Sequence, residues 1–145
     1  MTIDSIRLAE MLGDALERTA FVLCEPVDTD EPALDELAAV EFTGVRAGIV
    51  ILAASRGFCA ELAAGLLGAE PDEVTERDGR EALAELANMA AGSVVAALGG
   101  ERDRIRLTLP RPASRDEFEA ALGRGVSASL DSVGEPLRVV LLHAA

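Results

Sequence analysis

The sequence predicts an α+β fold: a mostly antiparallel sheet of about six strands with helices packed on it. Three observations carry this reading. Apolar residues recur at helical spacing in three long stretches. Short apolar or alternating runs lie between and after them, broken by Gly and Pro. The strand-like runs come in groups and do not alternate with helices one for one, which gives the order α-β-β-β-α-α-β-β-β with a possible minor helix. A chain of 145 residues suits a single domain over 1–145.

Each element has its own signal. Residues 3–18 read as a helix with Ile6, Ala9, Leu12, Ala15 and Leu16 as its apolar stripe, capped by Asp4 or Thr2. Residues 20–25 are almost wholly apolar and stop at Pro26, as a buried strand does; 28–32 form an acidic, turn-like loop. Residues 37–43 put Val40 and Phe42 on one side and Glu41 and Thr43 on the other, and 47–54 are apolar with β-branched residues in the middle. Together they predict a hairpin around Thr43-Gly44-Val45-Arg46. Ser55 caps the next helix, which carries Phe58, Leu62 and Leu66 and stops at Gly68. After a connector at 70–73, Thr75 or Asp78 caps a long helix that ends near Gly99-Gly100. Residues 104–109 alternate with Ile105, Leu107 and Leu109 inward until Pro110 and Pro112 stop them. Residues 115–122 give one or two helical turns, 126–131 alternate again, 132–135 turn, and 137–142 form a last apolar strand.

Composition narrows the function classes. Half the residues are apolar and 27% are charged, so the chain can bury a core. The balance of 13 basic against 26 acidic residues, net −13, leaves no basic stripe for nucleic acid and disfavours an anionic membrane. No apolar run reaches the roughly 18 residues of a membrane span, and the first residues lack a signal-peptide pattern, so a cytoplasmic protein is expected. Cys24, in the predicted 20–25 strand, and Cys59, in the predicted helix after Ser55, read as buried reduced thiols. The one histidine, His143, reads as a strand-end side chain. A Cys/His metal cluster or a Ser-His-Asp triad is poorly supported.

The long helix around 81–98 carries the most information. Leu83, Leu86, Ala87, Ala90, Val94 and Leu98 share one line along it. The opposite line holds Glu81, Glu85, Asn88, Gly92, Ala96 and Gly99: two acids, an amide, then small residues. Outward Glu is ordinarily a solvated helix former. Asn is a poor helix-interior residue, because its amide competes for backbone groups, and a Gly one turn later costs about 1 kcal/mol. Such a face suits close approach by another protein surface.

Residues 78–92, Asp-Gly-Arg-Glu-Ala-Leu-Ala-Glu-Leu-Ala-Asn-Met-Ala-Ala-Gly, resemble the signature helix of the CheX/CheC/FliY chemotaxis phosphatases, in which Glu and Asn stand three apart. The Gly44–Gly48 hairpin, the 60–68 helix and the 134–141 strand resemble the same family, and the likeness covers nearly the whole chain. A single Glu-x-x-Asn copy is similar to CheX and not to the two-copy CheC. The resemblance implies a phosphatase acting on the phospho-aspartate of a CheY-type response regulator in chemotaxis. Asn88 would then position water and Glu85 would pair with the regulator's lysine, with Glu81 and Gly92 as partner contacts. It implies no cofactor or metal bound by this chain, Mg²⁺ being supplied by the phosphorylated partner, and a homodimer built through the sheet, to which 47–54 and 137–142 could contribute. Glu81 departs from the family, which often carries Asp or Ser there. Two other readings stand beside it: a non-catalytic receiver-docking or dimerisation module of the same fold, and a small-ligand-binding α+β domain. The absence of Trp and Tyr makes the last least attractive.

Overall fold

The computed structural model describes residues 3–27, 34–44, 46–99 and 105–143. The expected 28–32 loop, and Thr2, Val45, Gly100 and Arg104, lie outside these residues. The elements run α1 (Ser5–Ala20), β1 (Glu25–Val27), β2 (Glu36–Thr43), β3 (Gly48–Ala54), α2 (Arg56–Leu67), a 3₁₀ turn (Pro71–Glu73), α3 (Glu76–Ala97), β4 (Arg106–Leu107), β5 (Arg111–Pro112), α4 (Arg115–Leu122), β6 (Val126–Ser132) and β7 (Glu135–His143). The strands form one sheet in the order β1-β6-β7-β3-β2-β4, with β5 also on β2, and each pairing is antiparallel. The α+β expectation therefore holds, with one very short strand, β5, beyond the six expected.

The alternation along each strand sorts the core. Ala38, Val40 and Phe42 of β2, Val50 and Leu52 of β3, and Leu137, Val139 and Leu141 of β7 face α1, α2 and α3 and make the larger core. Ala39, Ile51, Ala53 and Val140 point to the opposite face, where Phe118 and Ala121 of α4 cover them with Leu34. This explains why β3 and β7 read as nearly continuous apolar runs: both their faces are buried. It also places both strands inside the sheet, with their backbone groups already paired on either side. The segments 47–54 and 137–142 therefore offer no edge to an interface, and of their paired side chains only Ile49, Arg138 and Leu142 are more than marginally exposed.

Three expectations are corrected. The 20–25 run is not a buried strand. Phe21 caps α1 in the left-handed conformation at φ 57°, its ring and the Leu23 side chain are exposed, and pairing begins only at Glu25. Cys24 therefore sits just ahead of a strand and is half-buried, not buried as expected, whereas Cys59 is buried in α2 as expected. Ile6 is exposed. The buried stripe of α1 runs instead through Leu8, Ala9, Met11, Leu12, Ala15 and Leu16. Among the described residues of 104–109, Arg106 and Leu107 pair with β2 and Thr108 still exchanges hydrogen bonds with Glu41, but Leu109 turns outward to 88% exposure. The alternation there was real, but a strand needs a neighbour along its length, and Pro110 and Pro112 limit what this edge can pair.

Side-chain caps fix where the helices begin. Asp4, Ser55, Thr75 and Ser114 each accept from a backbone N–H in the first turn of α1, α2, α3 and α4. Ser55 is also a structural joint. Its hydroxyl donates to Glu135 Oε2 at 2.6 Å, its N–H bonds the Pro136 carbonyl, and the Glu135 carboxylate lies over Gly57, where a Cβ would collide with it. Ser132 donates to Glu61 at 3.0 Å, so α2 is tied twice to the β6–β7 hairpin.

Candidate functional site

The site is built on α3. Thr75 and Asp78 cap it reciprocally, each side chain accepting from the other's backbone N–H at 3.0 Å. Its inward arc, from Ala82 and Leu83 to Val94 and Val95, is buried against the sheet and the other helices. Gly79 lies against Cys59 of α2, with room for a Cβ only at 3.1 Å, so the two helices approach closely. The helix is 22 residues, about 33 Å long. It is held at its start and along its inner face, so its outer face is rigid.

That outer face carries the residues the sequence singled out. Glu81 and Glu85 are exposed, Asn88 and Gly92 half-buried, and Ala96 exposed. Glu85 and Asn88 stand one turn apart and about 60° around the axis. Neither has a side-chain hydrogen bond or ion pair within the described residues, so the carboxylate and the amide are both available to a partner. Glu81 is engaged: Arg77 Nε donates to its Oε1 at 3.1 Å. The i,i+4 spacing of Arg77 and Glu81 in the sequence is the signal for this pair. A Cβ built on Gly92 meets nothing within 4 Å. The glycine is thus not required by packing inside the chain. Leu98, expected inward, is half-buried at the end of the helix.

Other candidates carry less. Burial, then Glu61 and Asp131, push the Cys24 thiol up to about 11. Burial, then Glu36 and Asp35, push Cys59 up to about 12. Neither is a thiolate near neutral pH. His143 ends β7, as expected. Among the described residues, no group of three or more His, Cys, Asp or Glu side chains is placed to hold a metal ion, and no helix is long and apolar enough to cross a membrane. A cavity of about 260 Å³ opens where α2 meets the start of α3, lined by Arg56, Cys59, Val74 and Gly79 among others, but none of Glu81, Glu85, Asn88 or Gly92 borders it. A smaller groove does border this face and was not foreseen. It is about 170 Å³, lined by Ala63, Leu66 and Leu67 of α2 and by Asp78, Glu81, Ala82 and Glu85 of α3.

The family described as "Chemotaxis phosphatase CheX" matches residues 37–129, which spans the hairpin, α2, the whole of α3 and most of β6. The chain belongs to the CheX family. Solved structures agree on the fold. The CheX–CheY–BeF3–Mg²⁺ complex from Borrelia burgdorferi contains a chain similar at a TM-score of 0.66 and 18% identity, over 99% of this chain and 100% of that one. A CheX from Desulfovibrio desulfuricans is similar at a TM-score of 0.65 and 13% identity, over 94% and 96%. FliY from Thermotoga maritima is similar at a TM-score of 0.57 and 16% identity, over 92% and 83%. No curated relative matches the sequence. At these identities the structures speak for the fold. The matched family segment contains Glu81, Glu85, Asn88 and Gly92.

Proposed function

We propose that the chain is a cytoplasmic phosphatase that hydrolyses the phospho-aspartate of a CheY-type response regulator in chemotaxis signalling. The observation that carries this reading is the Glu85–Asn88 pair. In a CheX-family chain, the two side chains stand outward on an anchored helix, without partners among the described residues, beside a glycine that no packing inside the chain requires. The CheY in the Borrelia burgdorferi complex supports the choice of partner.

The chemistry needs positioning more than new reactive groups. The Asn88 amide donates through its nitrogen and accepts through its oxygen, so it can hold one water in line with the bond to be broken. The water oxygen bonds to phosphorus as the bond from phosphorus to the aspartyl oxygen breaks. The regulator keeps a carboxylate, and the water proton leaves with inorganic phosphate. Mg²⁺ is on the regulator's side of the reaction. Glu85 forms a charge-assisted pair with the regulator's lysine and sets the register of α3 in the pocket. Gly92 lets the backbone come close, and Glu81 meets the regulator at the rim. The chain acts as a homodimer joined through a sheet face, which sedimentation at micromolar concentration would test.

One observation favours a second reading. Glu81 stands where the family often has Asp or Ser, and its carboxylate is held by Arg77, which suits a module that docks a receiver without hydrolysis. Decay of a phosphorylated CheY-type regulator with Mg²⁺ separates the two. A faster decay with wild type, lost in Asn88→Ala while binding persists, is the phosphatase outcome. Binding by both proteins without any change in decay is the docking outcome and ends the phosphatase reading.

A further inference from the structure

The groove between α2 and α3 shares Glu85 with the proposed catalytic face. A surface that brings a group to Glu85 therefore comes to the rim of the groove as well. Its apolar wall is made by Ala63, Leu66, Leu67 and Ala82. Leu67, in the last turn of α2, is 63% exposed, while Ala63 and Ala82 are buried beneath. Its other wall is acidic: Asp78, Glu81 and Glu85, all from α3. Asp78 is committed to the helix cap and Glu81 to the exposed Arg77, whereas Glu85 has no partner among the described residues. At about 170 Å³ the groove is well below the roughly 300–1,000 Å³ of a small-molecule site and suits a single inserted side chain.

We propose that this groove receives a lysine or arginine side chain of the docked regulator, other than the lysine that Glu85 engages, and that Leu67 and Glu81 thereby set which regulators the chain accepts. The proposal rests on the receiver-docking reading above. The groove offers an aliphatic wall and a carboxylate rim a few atoms apart, which is what a long cationic side chain needs: its stem covers Leu66 and Leu67 while its head stays at the wet acidic edge. A neutral apolar side chain would satisfy the wall but face three carboxylates, and an acidic one would meet like charge. The incoming cation takes the Glu81 carboxylate from Arg77. That exposed ion pair is cheap to exchange, because surface pairs are worth little. In this account Glu81 is a partner-selecting residue, and its longer side chain, where the family often has Asp or Ser, reaches over the groove.

The test is steady-state dephosphorylation of a panel of CheY-type receiver domains with Mg²⁺, by wild type and by Leu67→Ser, Leu67→Lys, Glu81→Lys and Asn88→Ala. Thermal melts check folding, since Leu67 and Glu81 are exposed. The three groove variants are expected to raise KM about tenfold, the size of one lost anchor, with kcat changed less than twofold. Asn88→Ala is expected to lower kcat with little change in KM. On the receiver, one Lys→Ala or Arg→Ala substitution is expected to raise KM for wild type and to add nothing to Leu67→Ser, because both remove the same contact. Unchanged KM in the groove variants, beside a wild type that turns over and an Asn88→Ala that does not, overturns the groove proposal and leaves the phosphatase reading standing. Additive effects of Leu67→Ser with each cationic receiver substitution overturn it as well. If wild type neither binds nor dephosphorylates any receiver, the underlying reading fails and the groove proposal with it.

Discussion

Gly92 separates what folding needs from what the proposed docking needs. It lies in the body of α3, where glycine is about 0.8–1.0 kcal/mol worse than alanine. A Cβ there meets nothing within 4 Å, so no clash offsets the gain. Gly92→Ala is therefore expected to stabilise the chain by about 0.9 kcal/mol, and to raise Tm by roughly 2–4 °C for a protein near this size. Leucine has nearly the propensity of alanine, so Gly92→Leu keeps most of that gain. It also places a branched side chain one turn from Asn88, on the line proposed to lie against the regulator. A displacement of about 1 Å at a phosphoryl centre costs on the order of 100-fold in rate, so Gly92→Leu is expected to abolish measurable dephosphorylation while melting above wild type. Differential scanning fluorimetry and regulator-phosphate decay, run on the same preparations, give both readouts. A Gly92→Leu protein that is stabilised and fully active would refute the docking of this face. One that is destabilised would refute the geometry from which the argument starts.

Three further outcomes follow from the packing. The β6–β7 turn puts Val133 at φ 51° and Gly134 at φ 84°, with the Gly134 N–H bonded to Asp131; a β-branched residue is strained there, so Val133→Asn should stabilise by about 1 kcal/mol in urea titrations. Ser55→Ala removes both the cap of α2 and the donor to Glu135 and should cost about 1–2 kcal/mol in the same assay. Two hydrogen bonds from the Arg111 guanidinium hold the Glu117 carboxyl below its usual value. Its contribution is thus present above the unfolded carboxylate pKa of about 4.3 and lost as pH falls through the folded value. The pair is partly exposed, so Glu117→Gln should cost only about 0.5 kcal/mol at pH 7, with the difference from wild type vanishing in acid.

The most clearly legible parts of the sequence had two signals at once. The hairpin around 43–46 and the starts of α2 and α3 combined a capping or turning residue with the right apolar period, and the structure has all three. The outward line of Glu81, Glu85, Asn88 and Gly92 followed from periodicity alone. At three other places a single signal misled. The 20–25 run was apolar, but Phe21 had to end a helix, and the chain left it and Leu23 in solvent. Leu109 alternated with Leu107 but found no neighbour. Ile6 fitted the α1 stripe by spacing, yet the stripe turned slightly away from it toward Leu8 and Met11. The groove was not legible at all. It depends on how close α2 comes to α3, and that distance is set by Gly79 against Cys59, residues 20 positions apart.

The borders of the sheet have a consequence for the protein in bulk. On one side lies a three-residue strand centred on Pro26; on the other, two strands of two residues each, the second ending in Pro112. Interior strands as apolar as β3 and β7 would seed a growing fibril if they lay at a rim, because each bare row of amides invites another chain. Among the described residues, the outermost strands offer few free N–H and C=O groups in line for a neighbour to zip onto. With a net charge of −13 adding mutual repulsion, the chain should remain dispersed at high concentration, and its associations should run through faces, where side chains choose the partner.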